Sequence, residues 1–219
     1  GRQGVPSDMD ARAIAEALDA LSKDAQVDAG VLRIDSPGGS GLASDLIWRE
    51  VFQLRKRKPV IVSMGAMAAS GGYYIACPAD WILADPATIT GSIGVFALMI
   101  DASELWARLG ISREAVTRGK LADLYTSFRG RTPEERDLIQ KIVDTFYEGF
   151  VDRVAEGRKL DPEKVQAVAQ GRVWTGRQAK EHGLVDELGG LTRAIELAKE
   201  RIGLDAHDAV RIIHLPKQR

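Results

Sequence analysis

The sequence predicts an α/β domain, because short β-branched segments alternate along it with segments of helical periodicity. The strand pattern is clearest in residues 59–63, and the helical pattern is clearest in residues 133–153. The chain has 219 residues, of which 45% are hydrophobic, enough to fill the core of one domain. We therefore expect residues 1–219 to form a single domain around a central sheet.

Each element is predicted from its own pattern and from the turn residues beside it. Apolar residues between Met9 and Leu21 recur at helical spacing, and Thr132 and Glu135 stand in capping-box register before the longest helix. Residues 1–6 are predicted to be a loop. In chain order, the predicted elements are a helix at 8–22, a strand at 31–35, a helix at 42–54, strands at 59–63 and 81–84, helices at 133–153, 161–169, 175–182 and 192–202, and a strand at 210–215.

Composition excludes several classes of function. The 30 basic and 31 acidic residues give a net charge of −1, whereas a nucleic-acid-binding domain shows a basic excess. The single cysteine, Cys77, lies in an apolar stretch and is interpreted as a core residue rather than a thiol nucleophile. No apolar run approaches the ~20 residues of a membrane-spanning helix. The chain is therefore expected to be soluble, with any membrane anchor on another part of its parent protein, and no cofactor or metal is predicted.

The first candidate site segment is the turn Asp35-Ser36-Pro37-Gly38-Gly39, which follows a predicted strand. Sites in α/β proteins gather beyond the carboxyl ends of strands. Glycine lets a backbone N–H approach a ligand closely, and two such donors at Gly38 and Gly39 are typical of an oxyanion hole. A plain strand-to-helix turn also explains this pattern.

The second candidate segment is Ala68-Ala69-Ser70-Gly71-Gly72, which places a serine among residues too small to shield it. Ser70 stands at the predicted start of a helix, where partial positive charge favours an alkoxide. The segment departs from the G-x-S-x-G elbow because Ala68 occupies the position of the first glycine. Ser70 is therefore either a nucleophile or a helix N-cap.

A nucleophilic serine needs a base, and the sequence favours lysine over histidine for that role. His182, His207 and His214 lie in polar or C-terminal surroundings. A lysine that is buried away from counter-charges loses its proton near neutral pH and can then accept one from serine. Lys120 is the one lysine between positions 58 and 141, although the residue pattern favours a solvated surface lysine there.

Four segments, in the right order, resemble the signatures of the signal peptide peptidase A family, also called protease IV or S49. The likeness runs from about residue 8 to residue 200, with Ser70 at the position of the family nucleophile. The segments are 31–40 (VLRIDSPGGS), 59–76 (PVIVSMGAMAASGGYYIA), 90–95 (TGSIGV) and 171–186 (GRVWTGRQAKEHGLVD).

The resemblance implies a ClpP/crotonase-like fold built of repeated ββα units and a Ser–Lys dyad that hydrolyses peptides. The Gly38 or Gly39 amide and the Gly71 amide would form the oxyanion hole, and Ser92 would orient the lysine. It also implies signal-peptide substrates, homo-oligomeric assembly, and an active site on the extracytoplasmic side of a bacterial cell membrane.

One departure from the family pattern concerns the base. Short members carry their lysine in a segment similar to G-x-Y-K-D, whereas this chain has Gly119-Lys120-Leu121-Ala122-Asp123, with Ala122 at the lysine position. The chain resembles the C-terminal, serine-bearing half of long tandem-domain members, in which the first half supplies the lysine. This explanation is favoured, and it makes residues 1–219 a fragment of a two-domain protein. Alternatively Lys120 substitutes, since two residues along a strand share a face, or the lysine was replaced or activity lost.

The predicted function is therefore that of a serine endopeptidase in which Ser70 attacks a peptide carbonyl. Two alternatives remain open. One is a catalytically silent S49-like domain that serves assembly or substrate binding, and Ala122 favours it. The other is a crotonase-type acyl-CoA enzyme, which shares the fold and uses similar oxyanion amides but has no need of Ser70.

Overall fold

The computed structural model describes residues 10–215, and helices alternate with strands through them. The helices are α1 (Ala11–Lys23), α2 (Gly41–Arg55), α3 (Gly71–Ala76), α4 (Ser103–Arg108), α5 (Pro133–Arg158), α6 (Pro162–Val168), α7 (Gly176–Glu181) and α8 (Leu191–Arg201). The strands are β1 (Gly30–Ser36), β2 (Val60–Ala69), β3 (Trp81–Ala84), β4 (Ile89–Gly91), β5 (Val173–Thr175) and β6 (Glu187–Leu188). The predicted α/β class is confirmed.

The strands form one sheet in the order β5-β4-β2-β3-β6, and β1 pairs with β2. β1, β3 and β4 each run parallel to β2, whereas β5 runs antiparallel to β4. Since parallel strands end at the same end of a sheet, the carboxyl ends of β1, β2 and β4 meet there. The turns that follow these three strands are thereby brought together.

The described residues fall into two compact units. The first contains the residues up to Gly94 and from Gly149 onward, and it includes the whole sheet. Its core includes Ile61 and Leu83 from the sheet, packed with Ala194, Leu197 and Ala198 of α8. The second unit is Val95–Glu148, in which Trp106 of α4 stacks on Phe128 with ring centroids 5.1 Å apart.

The ladder between β1 and β2 is irregular just before the strands end. Ile34 pairs with Met64 but Ser36 pairs with Ala68, so β2 has extra residues at this point. The Asp35 carboxylate accepts a hydrogen bond from Met67 N at 3.1 Å, which satisfies an amide within the irregularity. Gly65 leaves room for it, since a Cβ there would lie 2.6 Å from Asp35 Cγ.

Most elements match their predicted positions, and the capping box of α5 is present. Glu135 N donates to Thr132 Oγ1 at 3.2 Å, and Thr132 N donates to Glu135 Oε2 at 2.9 Å. α1 begins after its N-cap Asp10, while the predicted start at residue 8 and the predicted loop at 1–6 lie outside the described residues. No described helix has the length and apolar character needed to cross a bilayer.

Two predictions about strands need correction. β2 does not end near Ser63 but continues to Ala69, because residues 67–69 pair with β4 and Ala68 pairs with β1. Residues 210–215 form no strand among the described residues, so that prediction is wrong. Ile212 and Ile213 are 53% and 41% exposed, and an apolar segment without a neighbouring strand has no ladder to join.

The two glycines of α5 provide a matched test of packing in the first unit. A Cβ at Gly157 would clash with the Cys77 carbonyl group and lie 2.8 Å from its carbon, whereas a Cβ at Gly149 meets nothing within 4 Å. We expect Gly157→Ala to destabilise the fold by about 1–3 kcal/mol through overpacking. Gly149→Ala should stabilise it by about 0.5–1 kcal/mol through helix propensity. Urea unfolding measures both, and equal effects of the two variants would contradict this packing.

Candidate active site

The candidate site is built by three turns at the carboxyl ends of β1, β2 and β4. Ser36 pairs with Ala68, and Ala69 pairs with Gly91, so these strand ends are neighbours in the sheet. Ser70 N donates to Gly91 O at 2.9 Å, which joins the β2 turn to the β4 turn. All three turns belong to the first unit.

Ser70 has a strained backbone, and its hydroxyl makes no hydrogen bond to the described residues. It lies between β2 and α3 with φ 52° and ψ −120°, a conformation that costs a side-chain-bearing residue about 1–3 kcal/mol. The side chain makes no capping bond to α3, so the N-cap interpretation is not supported. Ser70 is half-buried, and no described residue makes a hydrogen bond with its Oγ.

The β1 turn approaches Ser70 so closely that only glycine fits. Gly38 has φ 103°, and a Cβ there would lie 2.7 Å from Ser70 Cβ and 2.8 Å from Gly71 N. Gly39 has φ 152° and open space around its Cβ position. Glycine at position 38 is therefore required both by conformation and by contact.

The amides of these turns differ in whether they are already hydrogen-bonded. Gly38 N donates to Ser36 Oγ at 3.2 Å. Among the described residues, nothing accepts a hydrogen bond from Gly39 N or Gly71 N, and the Cβ position of Gly71 lies 3.3 Å from Gly39 N. Two free amides beside a free hydroxyl are the parts that acyl transfer requires.

Ser92 shares the backbone strain of Ser70. Within residues 10–215, four non-glycine residues have positive φ: two follow helix ends, while Ser70 and Ser92 follow strand ends at this site. Ser92 has φ 48°, and its N donates to Arg172 O at 2.7 Å. It directly follows Gly91, whose carbonyl holds Ser70, so the sheet brings the two serines near one another.

Lys120 lies in the second unit, in surroundings that favour its charged form. Its side chain is 79% exposed, and its Nζ lies 2.7 Å from Glu134 Oε2. The hydrogen bond and the charge of Glu134 raise the pKa of Lys120. Ala122, two residues further on, is exposed.

Neighbouring side chains of the same turn are held by an ion network in the second unit. Arg129 donates to the carboxylates of Asp123 and Glu135, at 2.7 Å and 2.6 Å from its Nη2. The hydrogen bond from Arg129, followed by that from Thr132 N, lowers the pKa of Glu135 to about 2. The network links the turn that contains Lys120 to the start of α5.

One of the histidines that the sequence disfavours as a base makes a packing contact in the fold. The His182 ring packs edge-on against Trp174, with centroids 4.3 Å apart. No described group of three or more His, Cys, Asp or Glu side chains has the arrangement of a metal site.

Comparison with known proteins places the chain in a family. The model of peptidase family S49 matches residues 53–205, a segment that includes Ser70 and Ser92.

The chain belongs to peptidase family S49.

Three curated relatives are similar to most of the chain. It is 41% identical over 208 residues to the chloroplastic serine protease SPPA of Arabidopsis thaliana, covering 94% of the chain and 31% of that protein. It is 44% identical over 181 residues to protease 4 of Salmonella typhi, covering 80% and 29%. It is 40% identical over 198 residues to protease 4 of Haemophilus influenzae, covering 90% and 32%. The chain thus spans about a third of the length of these relatives. Membership of a peptidase family supports a peptidase activity.

The reactivity of Cys77 tests its interpretation as a core residue rather than a nucleophile. It is fully buried, and burial raises the pKa of its thiol to about 12. At pH 8 the thiol is then almost entirely protonated, and the thiolate is the reactive form. We expect iodoacetamide to leave native Cys77 unmodified at pH 8 and to alkylate it in urea. Mass spectrometry measures the modification. Rapid alkylation of Cys77 in the native protein would contradict its interpretation as a core residue.

Proposed function

We propose that this chain is the nucleophile-bearing domain of a serine peptidase, in which Ser70 Oγ attacks a peptide carbonyl. The observation that carries the proposal is the free, strained Ser70 beside the unbonded amides of Gly39 and Gly71. S49 membership supports the same reaction class.

In the proposed reaction, Oγ forms a bond to the carbonyl carbon while a neutral amine takes its proton. The carbonyl electrons move to oxygen, and the Gly39 and Gly71 amides stabilise that oxyanion. Gly38 is the weaker candidate for this role because its amide already donates to Ser36 Oγ. The protonated base then donates its proton to the leaving amine, and water hydrolyses the acyl-enzyme at Ser70.

The base is proposed to be a lysine from another domain of the parent protein. Lys120 is exposed and paired with Glu134, which favours the ammonium form that cannot accept a proton. Relatives about three times as long as this chain have room for a second domain of the same kind. In this proposal Ser92, strained beside Ser70, orients the incoming lysine.

The wider assignments rest on the family resemblance. We propose a ClpP/crotonase-like fold for a single S49 domain, homo-oligomeric assembly, and a site on the extracytoplasmic side of a bacterial cell membrane. The proposed substrates are cleaved signal peptides or other membrane-associated peptides. Parallel strands whose carboxyl ends meet at Ser70 support the fold assignment.

A catalytically silent domain is the second candidate, favoured by one observation. Neither Ala122 nor the paired Lys120 offers a neutral amine in this chain. S49 membership weighs against the acyl-CoA alternative, and the free hydroxyl at Ser70 has no role in it.

The nucleophile is tested with an alkyl fluorophosphonate probe on the parent protein. We expect the unmutated parent protein to be labelled at Ser70. The Ser70→Ala variant should not be labelled, and its rate of peptide hydrolysis should be lower by at least about 10³-fold. Ser112→Ala, at an exposed serine of the second unit, should match the parent. Equal labelling of the parent and Ser70→Ala would exclude Ser70 as the nucleophile.

The source of the base is tested at Lys120 and Glu134. If another domain supplies it, the parent and its Lys120→Met and Glu134→Gln variants should share one pH–rate profile. If Lys120 is the base, Lys120→Met abolishes hydrolysis. Removal of the Glu134 charge would then lower the pKa of Lys120 and move the rise in rate to lower pH. Either of those results would overturn the proposal that the lysine comes from elsewhere.

A further inference from the structure

Ser36 contacts both the β1 turn and the start of α3, which follows Ser70. It is the last residue of β1, and its Oγ accepts a hydrogen bond from Gly38 N at 3.2 Å. Its carbonyl oxygen lies 2.8 Å from the position that a Cβ on Gly72 would occupy, and its own Cβ lies 3.4 Å from the same point. The side chain therefore orders the β1 turn while the backbone packs against the start of α3.

Pro37, between Ser36 and Gly38, limits which amides the β1 turn can offer. Proline has no N–H and a fixed φ, so Gly38 and Gly39 carry the first two amides after the strand. A serine hydroxyl that binds the amide two residues ahead fixes the direction of the turn. With Gly38 N held by Ser36, the next amide, that of Gly39, remains free beside Gly71.

The same contact sets the separation of the turn from the nucleophile. Gly38 already lies so close that an added Cβ would be 2.7 Å from Ser70 Cβ. Without the hydrogen bond to Ser36, the β1 turn cannot move toward Ser70 and Gly71, because they already lie in contact with Gly38. It can move only away from them, and that movement would carry the Gly39 amide away from Ser70 as well.

We propose that Ser36 is a positioning residue, whose hydroxyl selects Gly39 rather than Gly38 as the oxyanion donor of the β1 turn. This inference rests on the proposed function. Ser36 itself contacts neither the substrate nor the reacting atoms in this proposal and acts through the Gly38 peptide. Its loss should therefore lower kcat and leave KM nearly unchanged, since the donor is needed most in the transition state.

Ser36→Ala, Ser36→Thr and Ser36→Val variants of the parent protein test the inference. Threonine keeps the hydroxyl, and valine has nearly the same shape without it. We expect alanine and valine to lower kcat by about 10- to 100-fold, somewhat less than the ~10²–10³-fold cost of deleting an oxyanion donor. Threonine should restore most of the loss. The Ser22→Ala variant is the control, because it removes a hydroxyl that also makes a local hydrogen bond with the backbone, donating to Asp19 O at 2.8 Å, but on α1 and away from the site.

The readouts separate positioning from folding. Circular dichroism and urea unfolding confirm that each variant is folded, and the threonine–valine comparison remains decisive if alanine does not fold. Equal kcat values for threonine and valine would overturn the inference, as would a loss that falls on KM alone. Fluorophosphonate labelling distinguishes failure of the proposed function from failure of the Ser36 inference. If the unmutated parent protein is not labelled, the proposed nucleophile is contradicted. A labelled parent with a fully active Ser36→Val variant contradicts only the role of Ser36.

Discussion

The close approach of the Gly38 backbone to Ser70 is the contact on which the geometry of the site depends. A Cβ at Gly38 would lie 2.7 Å from Ser70 Cβ, so the two turns meet without side chains between them. This is possible because β1 and β2 are parallel neighbours whose carboxyl ends coincide, and because Asp35 supports the irregular ladder just before them. If the turns were further apart, Gly39 N would not lie as close to Gly71 as it does, 3.3 Å from the Cβ position of Gly71.

The strain at Ser70 and Ser92 is held by the surrounding backbone. Each conformation costs about 1–3 kcal/mol. Ser70 is fixed at both ends, since its N donates to Gly91 O and its carbonyl accepts from Tyr74 N, each at 2.9 Å. Tyr73, which follows in α3, is fully buried and donates its hydroxyl to Leu184 O at 2.9 Å. A serine held from several directions keeps its hydroxyl placed without using that hydroxyl as an anchor.

The sequence predicted those parts of the structure that depend on local pattern. Hydrophobic periodicity gave α2, α5 and β3, and the capping-box spacing of Thr132 and Glu135 located the start of α5. The extension of β2 to Ala69 is not predictable from local pattern, because Gly65 and the alanines near it are typical of a turn, whereas pairing of residues 67–69 with β4 and of Ala68 with β1 makes them part of the strand. The strand predicted at 210–215 failed for the opposite reason, since its apolar residues have no partner strand.

The same distinction applies to the site. Glycines beside a serine identified Ser70, Gly38, Gly39 and Gly71 as candidates, but the sequence does not reveal which amides are already bonded. The sequence does not single out Ser36, because a serine before Pro-Gly-Gly is typical of an ordinary turn. Its importance comes from the hydrogen bond to Gly38 N, which depends on the conformation of the turn.

The electrostatics of Lys120 constrain how any Ser–Lys dyad is completed. A lysine becomes a base near neutral pH when it is desolvated and free of a carboxylate partner, and Lys120 is exposed and paired with Glu134. For Lys120 to act, Glu134 must be displaced and the ammonium must lose water, which requires another surface to cover it. A lysine from a different domain requires such a contact directly. The proposed dyad therefore depends on a contact with another surface for its base, whereas the strained serine and the unbonded amides of Gly39 and Gly71 lie within the first unit of a single chain.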